Sequence, residues 1–427
     1  MPNSLTPRRE LWLLVTLAGI QFTNILDFMI MMPLGPQFTA LFQITDAQFG
    51  LLVSAYTLAA GASGLIASTY IDRFDRKTLL LTLYLLFALA TLACGLAPGY
   101  GALMLARVLA GVFGGVLSAL SQTIVGDVIP FERRGRAMGI VMTSFSVSTV
   151  AGVPLSLFVA AHLGWHATFF CIAALCAIFI VFAWLTLPSL NAHLALQHNA
   201  TAWQRIKETL ADRNHLRAFM FSGLLMFAGF TVIPFITIYM QGNVGMTSDQ
   251  VPLIYLCGGV ATLFTARWFG RMTDSVGKFR TYRRLAFAVP VPMLAITLLW
   301  PATHLVIVLV VTTVFFVCLS GRMIPGMAML TSAANPAVRG TFMTLNSAVQ
   351  SSAMGLAALV GGNIISRDAN NLVQHYWVSA LLGAVVSCAT VWVAMRLDLR
   401  QAPSAVPTAA GTPAPVSVMP AVTPAKH

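Results

Sequence analysis

The chain has 427 residues, of which 58% are hydrophobic and only 9% charged, with a formal net charge of +12. Soluble domains carry roughly 25% charged residues, so the composition excludes a water-soluble globular protein and indicates an integral membrane protein. The positive balance does not point to nucleic acid, because the cations fall in short loops between apolar runs.

A membrane-spanning helix needs about 20 apolar residues, and twelve such runs can be drawn. The first six cover roughly 11–36, 47–71, 78–97, 101–126, 136–161 and 167–187. The second six cover about 217–241, 250–271, 282–300, 304–333, 340–365 and 373–396. The first run is too long for a signal-peptide core and lacks a small-residue cleavage site, so it reads as the first span. Within it, QFTNILDF places Gln21, Asn24 and Asp27 at intervals of three. That spacing sets them along one helical stripe, facing protein or a water-filled cavity rather than lipid. Asp27 is the only acid well inside a predicted span.

After the second run comes STYIDRFDRK, Ser68 to Lys77, with Asp72, Arg73, Asp75, Arg76 and Lys77 packed together. Such a cluster in so apolar a chain must lie outside the hydrocarbon, in a short loop. The pattern returns as GRMTDSVGKF, Gly270 to Phe279, with Asp274 in the place of Asp72 and Lys278 in that of Arg76. Upstream, DAQFGLL from Asp46 parallels SDQVPLI from Ser248. A repeat of this length carried on hydrophobic segments means a duplicated membrane bundle.

The fourth run holds Arg107 in LARVLAGVFGGV, followed by Gly111, Gly114 and Gly115. At about 1.5 Å per residue, Asp27 and Arg107 lie about 13 Å and 9 Å from the outer ends of their helices. They are therefore at similar depth and able to pair. An intramembrane carboxylate costs roughly 2.5–3.5 kcal/mol unless neutralised or partnered. Burial and a neighbouring guanidinium act on its charge in opposite directions, which poises Asp27 to exchange a proton as its exposure changes. The alternative is a permanent pair that only fixes the first helix against the fourth.

The next loop, FERRGRAMG from Phe131, follows Asp127 and is echoed by NPAVRGTFM from Asn335. Asp72 and Asp127 are expected to meet Arg134 or Arg136 and the 68–77 loop in a charge network that locks the cytoplasmic side. The fifth run carries AGVPLS, with Gly152 and Pro154 bending a closely packed helix. The polar stretch 188–215 reads as a partly helical linker between halves. In the second half the cavity candidates are Phe227, Phe230 and Tyr239 on the seventh run, Arg322 on the tenth, and Asn346 and Gln350 one turn apart on the eleventh.

Counting cations gives the orientation. Of the 25 Lys and Arg, with those at span ends counted to the adjoining loops, three (Arg107, Arg267 and Arg322) lie inside predicted spans, one (Arg367) falls on outer loops if the N-terminus is cytoplasmic, and the remaining 21 fall inside. Both termini are thus expected in the cytoplasm. The six cysteines all lie in apolar runs without a C-x-x-C pair and read as packing residues, and no metal or redox centre is expected.

The loop pattern G-x-x-x-D-R-x-G-R-[RK] between the second and third spans, with its echo between the eighth and ninth, resembles the major facilitator superfamily. Ser68 and Asp75 replace two of its glycines; the second copy keeps Gly270 and Gly277 but has Ser275 for the arginine. The resemblance implies an all-α membrane protein, with twelve transmembrane helices in two pseudo-symmetric six-helix bundles. Its halves would be 1–187 and 216–397, joined by the linker 188–215 and followed by a disordered tail, 398–427. Arg107 followed by Gly111 resembles the superfamily's helix 4 motif, in which the arginine is implicated in proton coupling. Gly152 and Pro154, with GWHATFF from Gly164, resemble exporters of the drug:proton antiporter branch.

What this implies is proton-coupled export of a small organic molecule by alternating access, from a bacterial inner membrane. The partners are substrate, protons and bilayer, in a monomer with no cofactor. No G-x-x-x-x-G-K-[ST] is present for direct use of ATP, and no His, Cys, Ser or Asp cluster has catalytic spacing, so no enzyme is expected. Two rivals stand beside this reading: a proton symporter importing an organic anion or sugar, with Arg107 and Arg322 as clamps, and a membrane sensor without flux.

Overall fold

The computed structural model describes residues 7–71, 74–129, 131–187, 202–301, 303–335 and 338–399. In chain order the first half contains α1 (Pro7–Ile30), α2 (Gly35–Phe42), α3 (Asp46–Tyr70), α4 (Arg76–Gly95), α5 (Tyr100–Val128), α6 (Phe131–Val147), α7 (Val153–Leu163) and α8 (Trp165–Thr186). Next come α9 (Ala202–Ala211), α10 (Arg213–Phe230), α11 (Ile236–Gly242), α12 (Val251–Val276), α13 (Lys278–Ala288) and α14 (Pro290–Thr297). The last helices are α15 (Leu305–Ala333), α16 (Arg339–Ile364) and α17 (Tyr376–Ala394). A two-residue antiparallel ladder, β1 (Ser366–Arg367) against β2 (Val373–Gln374), pairs Ser366 with Gln374 between α16 and α17. Twelve spans result, because α6 with α7, α10 with α11, and α13 with α14 each form one interrupted crossing. The face where α1 begins and α17 ends is called here the terminal face, and the opposite one the far face.

The interruptions follow the prolines. The first predicted span runs to residue 36, but α1 stops at Ile30 and a turn holding Pro33 precedes α2. Proline donates no backbone hydrogen bond and clashes with the preceding turn. Pro234 sits in a 3-10 turn, Ile233–Phe235, between α10 and α11, and Pro290 opens α14. Between α6 and α7 the helix widens into a π-helical turn, Ser148–Gly152, just ahead of Pro154; such bulges absorb a missing rung.

Caps fix the other ends. Thr45 and Gln48 form a reciprocal capping box at α3, and Asp212 caps α10 by accepting from the Asn214 amide at 2.8 Å. Lys77 donates to the Trp184 and Leu187 carbonyls at 2.9 and 2.6 Å, closing the C-terminal end of α8. The duplicated loop is built with two chemistries. Asp75 caps α4 through its carboxylate, accepting from the Thr78 amide at 3.0 Å. Its counterpart Gly277 instead adopts φ +100 with no side-chain cap before α13, a conformation that favours glycine. At Gly270, the counterpart of Ser68, an added Cβ meets only open space, so no steric demand holds glycine there.

Ten helices are long and apolar enough to cross a membrane by length and composition. The two crossings outside that set carry their polarity for visible reasons. α13 opens with Lys278, Arg280, Arg283 and Arg284 at the terminal face. α16 carries Asn346, Ser347, Gln350, Ser351 and Ser352 toward protein or cavity. Seven of the eight tryptophans are exposed, among them Trp12, Trp184, Trp300, Trp377 and Trp392 near helix ends. This is the aromatic belt of a protein in lipid.

In the described part of the polar linker the amphipathic helix α9 places Ile206 in one cluster with Phe219 and Phe342. α10 begins four residues earlier than the predicted span, at Arg213. At the first two residues of the expected tail, the Asp398 amide donates to Asn214 at 2.9 Å and Leu399 packs on the same cluster. The rest of the expected tail, 400–427, and residues 188–201 of the linker lie outside the described residues. The two bundles meet along α3 against α16, and where the π-helical turn and α7 meet α12. Glycines set the first contact: a Cβ on Gly50 would lie 2.6 Å from the Ala358 carbonyl oxygen and 3.2 Å from the Cα of Gly362.

Candidate functional site

The charges inside the first bundle converge. On α1 and α5, Asp27 and Arg107 form an ion pair at 2.7 Å, both side chains 0% exposed. The same guanidinium nitrogen approaches the Asp27 carbonyl oxygen at 3.3 Å, and Thr91 of α4 donates to the other carboxylate oxygen at 3.2 Å. The contact is one-pronged: the Nε and Nη2 of Arg107 have no hydrogen-bond partner among the described residues. The flat guanidinium instead lies over the Tyr56 ring of α3, 4.5 Å from its centroid. This close seating of α5 on α3 depends on Gly111, where a Cβ would fall 2.2 Å from the Tyr56 carbonyl oxygen.

Tyr56 connects this pair to the space between the bundles. Its hydroxyl donates to Asn24 at 2.6 Å, and its ring stacks on Phe28 at 5.4 Å. Phe28 in turn stacks on Phe230 of α10 at 6.0 Å, so one aromatic ladder runs from the ion pair into the second bundle. A cavity of about 120 Å³ lies beside it, lined from the first bundle by Asn24, Phe28, Tyr56 and Ser118 and from α16 by Ser347 and Ser351. None of its lining side chains is charged. Asn24 also donates to the Gly114 carbonyl at 2.9 Å, and Gln21, 8% exposed, donates to Ser118 at 2.7 Å.

The other sequence candidates are dispersed. Arg322 is fully buried on α15 and points away from the cavity wall, donating to Ser387 of α17 at 2.7 Å and to the Leu225 carbonyl at 3.1 Å. Tyr239 is buried near the far face, its hydroxyl 2.9 Å from the Thr297 and Leu299 carbonyls. Asn346 accepts from Ser222 of α10, and Gln350 reaches only the Met327 sulfur, at 3.7 Å. Phe227 lines a separate, apolar groove of about 320 Å³ between α10 and α16. Gly152 lies in the π-helical turn against Leu26, and Ser148 in the same turn donates to the Phe22 carbonyl, tying it to α1. In the charged loops, Arg76 is buried and donates to the Ile71 carbonyl at 2.7 Å, while Asp274 is exposed. Asp72 and Arg73, and the side chains of Asp127, Arg134 and Arg136, lie outside the described residues.

Sequence reasoning missed Tyr56, Ser118, Thr91 and the paired Ser347 and Ser351. It also missed a latch on the far face. Arg367 of β1 grips Asp46 of α3 with two nitrogens at 2.7 and 2.8 Å, which holds its guanidinium above the ordinary value through those hydrogen bonds. Arg367 had already stood out as the only cation expected on that face, a signal that could have led to its partner.

The profile of the Major Facilitator Superfamily matches residues 17–358. The chain belongs to that superfamily. The Bacillus subtilis (strain 168) relative "Uncharacterized MFS-type transporter YtbD" is 25% identical over 343 residues, 79% of this chain and 84% of its own. Among solved structures, a D-xylose-proton symporter aligns with a TM-score of 0.71 at 17% identity, covering 93% of this chain and 98% of its own. A bacterial homologue of the human lysosomal transporter Spinster, inward-facing and unoccupied, aligns at 0.68 and 14%, covering 94% and 100%. These structures share the major facilitator fold of twelve transmembrane helices, which the sequence had led one to expect. As a superfamily member the chain is a multi-pass membrane transporter for a small-molecule substrate, and not an enzyme. In superfamily terms Tyr56, Asn24 and Ser118 stand where the first bundle faces its partner, and Asp46 with Arg367 closes the far end of that seam.

Proposed function

We propose that this transporter exports a small organic molecule in exchange for protons, with Asp27 as the titrating group and Arg107 its partner. The observation that carries the reading is the incomplete pairing at the site. A buried ion pair repays its desolvation only with full hydrogen bonding, and here two nitrogens of Arg107 stay unpartnered beside a one-pronged contact. Such a pair is poorly suited to a purely structural role and well suited to one that opens when a proton arrives. Tyr56 supplies the link to the cavity, since it touches both the guanidinium and Asn24.

In this reading the terminal face is cytoplasmic, the halves 1–187 and 216–397 rock about the cavity, and the loops around Asp72 and Asp274 gate the terminal side. Gly152 and Pro154 supply the bend at the bundle seam. The Bacillus relative supports a bacterial membrane as the location. The importing alternative draws support from the D-xylose-proton symporter among the structural neighbours. Its use of Arg322 as a clamp is weakened by the burial of that side chain against α10 and α17.

The test is proton movement in proteoliposomes containing a pH-sensitive dye, with drugs, sugars and organic acids added in turn. Substrate-driven flux should be present in the wild type and absent in Asp27→Asn. Flux of equal size in Asp27→Asn would reduce the pair to a structural tie.

A further inference from the structure

The cavity wall contains more hydrogen-bonding groups than it satisfies, and their arrangement specifies a ligand. A serine hydroxyl offers one donor and two acceptor sites. Ser118 accepts from Gln21 at 2.7 Å and from Asn24 at 3.4 Å, so both acceptor sites are taken. Its own hydrogen has no acceptor among the described residues. The Asn24 amide is fixed by the Gly114 carbonyl, which can only accept, and its oxygen is occupied by Tyr56. Behind Ser118, outside the cavity lining, the Gln21 oxygen is buried without a partner among the described residues. Across the cavity Ser347 and Ser351 have hydroxyls with no side-chain partner among the described residues. The wall therefore presents a free donor at Ser118 and, across from it, the hydroxyls of Ser347 and Ser351, each able to donate and to accept, next to Phe28.

Charge is missing from this wall. The Asp27–Arg107 pair lies behind Tyr56 and Asn24 with its charges opposed, and Arg322 is turned toward α17. An ionic ligand would lose its water with no counter-charge to meet it, which lowers its affinity steeply. A hydroxyl or amide loses little, because the wall returns its hydrogen bonds.

We infer that the cavity binds an electrically neutral, compact molecule that carries both a hydrogen-bond donor and an acceptor on an apolar frame, with Ser118 donating to it. The inference rests on the reading of this cavity as the transport site, and it narrows the substrate class. Ser118 and the facing Ser347 and Ser351 then read the polar edge of the ligand, while Phe28 covers its apolar face.

The experiment measures equilibrium binding of three probes on one scaffold to the full-length purified protein in nanodiscs. The probes are an aryl glycerol ether, the matching hydroxy-acid anion and the matching amino-alcohol cation. The neutral ether should bind saturably, and each ion about a hundredfold more weakly or worse. Ser118→Ala should weaken the ether about tenfold, and Ser118→Thr, which keeps the hydroxyl, should restore most of that loss. Ser351→Ala, on the opposite wall, gives a second reading should Ser118→Ala lower the melting temperature. An ion binding as tightly as the ether, no binding by any probe, or undiminished binding in both alanine variants overturns the inference. The stated order of affinities together with absent proton flux would instead leave the inference standing and remove the proton-coupled reading.

Discussion

Replacing Arg107 with methionine should destabilise the protein by about 3–5 kcal/mol while Asp27 remains acidic, because it strands a carboxylate that is 0% exposed. Thr91 alone would then face that charge, from 3.2 Å. The double variant Asp27→Asn with Arg107→Met should recover most of the loss, since a pair removed together leaves no unmatched charge. The two single changes would then be strongly non-additive, with a coupling that double-mutant cycles on thermal or denaturant unfolding can read. Independent effects that simply add would mean that Arg107 is stabilised by Tyr56 and its surroundings, and that Asp27 is not its energetic partner.

The second large effect is expected on the far face. Gly50→Val should prevent α3 from closing on α16, because the new side chain starts 2.6 Å from a backbone oxygen that cannot rotate away. Overpacking of this kind costs about 1–3 kcal/mol, enough to move a two-state equilibrium by roughly tenfold to a hundredfold. Spin labels at Leu41 and Ser248, both exposed near the far face, should report a longer distance in this variant. Asp46→Asn loosens the same seal, yet it removes an ion pair whose arginine is 27% exposed. Its effect should stay near 1 kcal/mol and shrink with salt. The glycine contact thus outweighs the visible latch. An unchanged distance distribution in Gly50→Val would remove the seam from the closing mechanism.

How far the sequence carries the reader depends on the kind of signal. Twelve apolar runs, with ends a few residues from those observed, follow from the cost of exposing backbone and charge to lipid. Depth counting brings Asp27 and Arg107 to one level, and the structure has them 2.7 Å apart; membrane charges are so few that partners are nearly forced. The proline breaks at Pro33 and Pro234 were present in the sequence and were read through, because an apolar run hides them. Tyr56 and Ser118 gave no signal at all. An aromatic and a hydroxyl inside apolar runs are ordinary, and their roles come from what α1 and α5 place beside them. Arg322 showed the reverse problem: its oddity in the sequence suggested a ligand, whereas Ser387 and the Leu225 carbonyl, 65 and 97 positions away, hold it within the second bundle. Asp46 reads as an ordinary first-turn acid, and its partner lies 321 positions along the chain.

The way Arg322 is held has an electrical consequence. It is fully buried and answered by a hydroxyl and a carbonyl, with no acidic partner among the described residues. Asp27 and Arg107, by contrast, face each other as an ion pair at 2.7 Å. A charge in the hydrocarbon feels the transmembrane voltage at about 2.3 kcal/mol per 100 mV for a full crossing. A movement of the Arg322 charge through even part of that field would add to or subtract from the balance between conformations. Voltage imposed at constant pH, with potassium and an ionophore, should therefore shift the Leu41–Ser248 distance distribution, and a distribution indifferent to voltage would show that these charges do not move through the field.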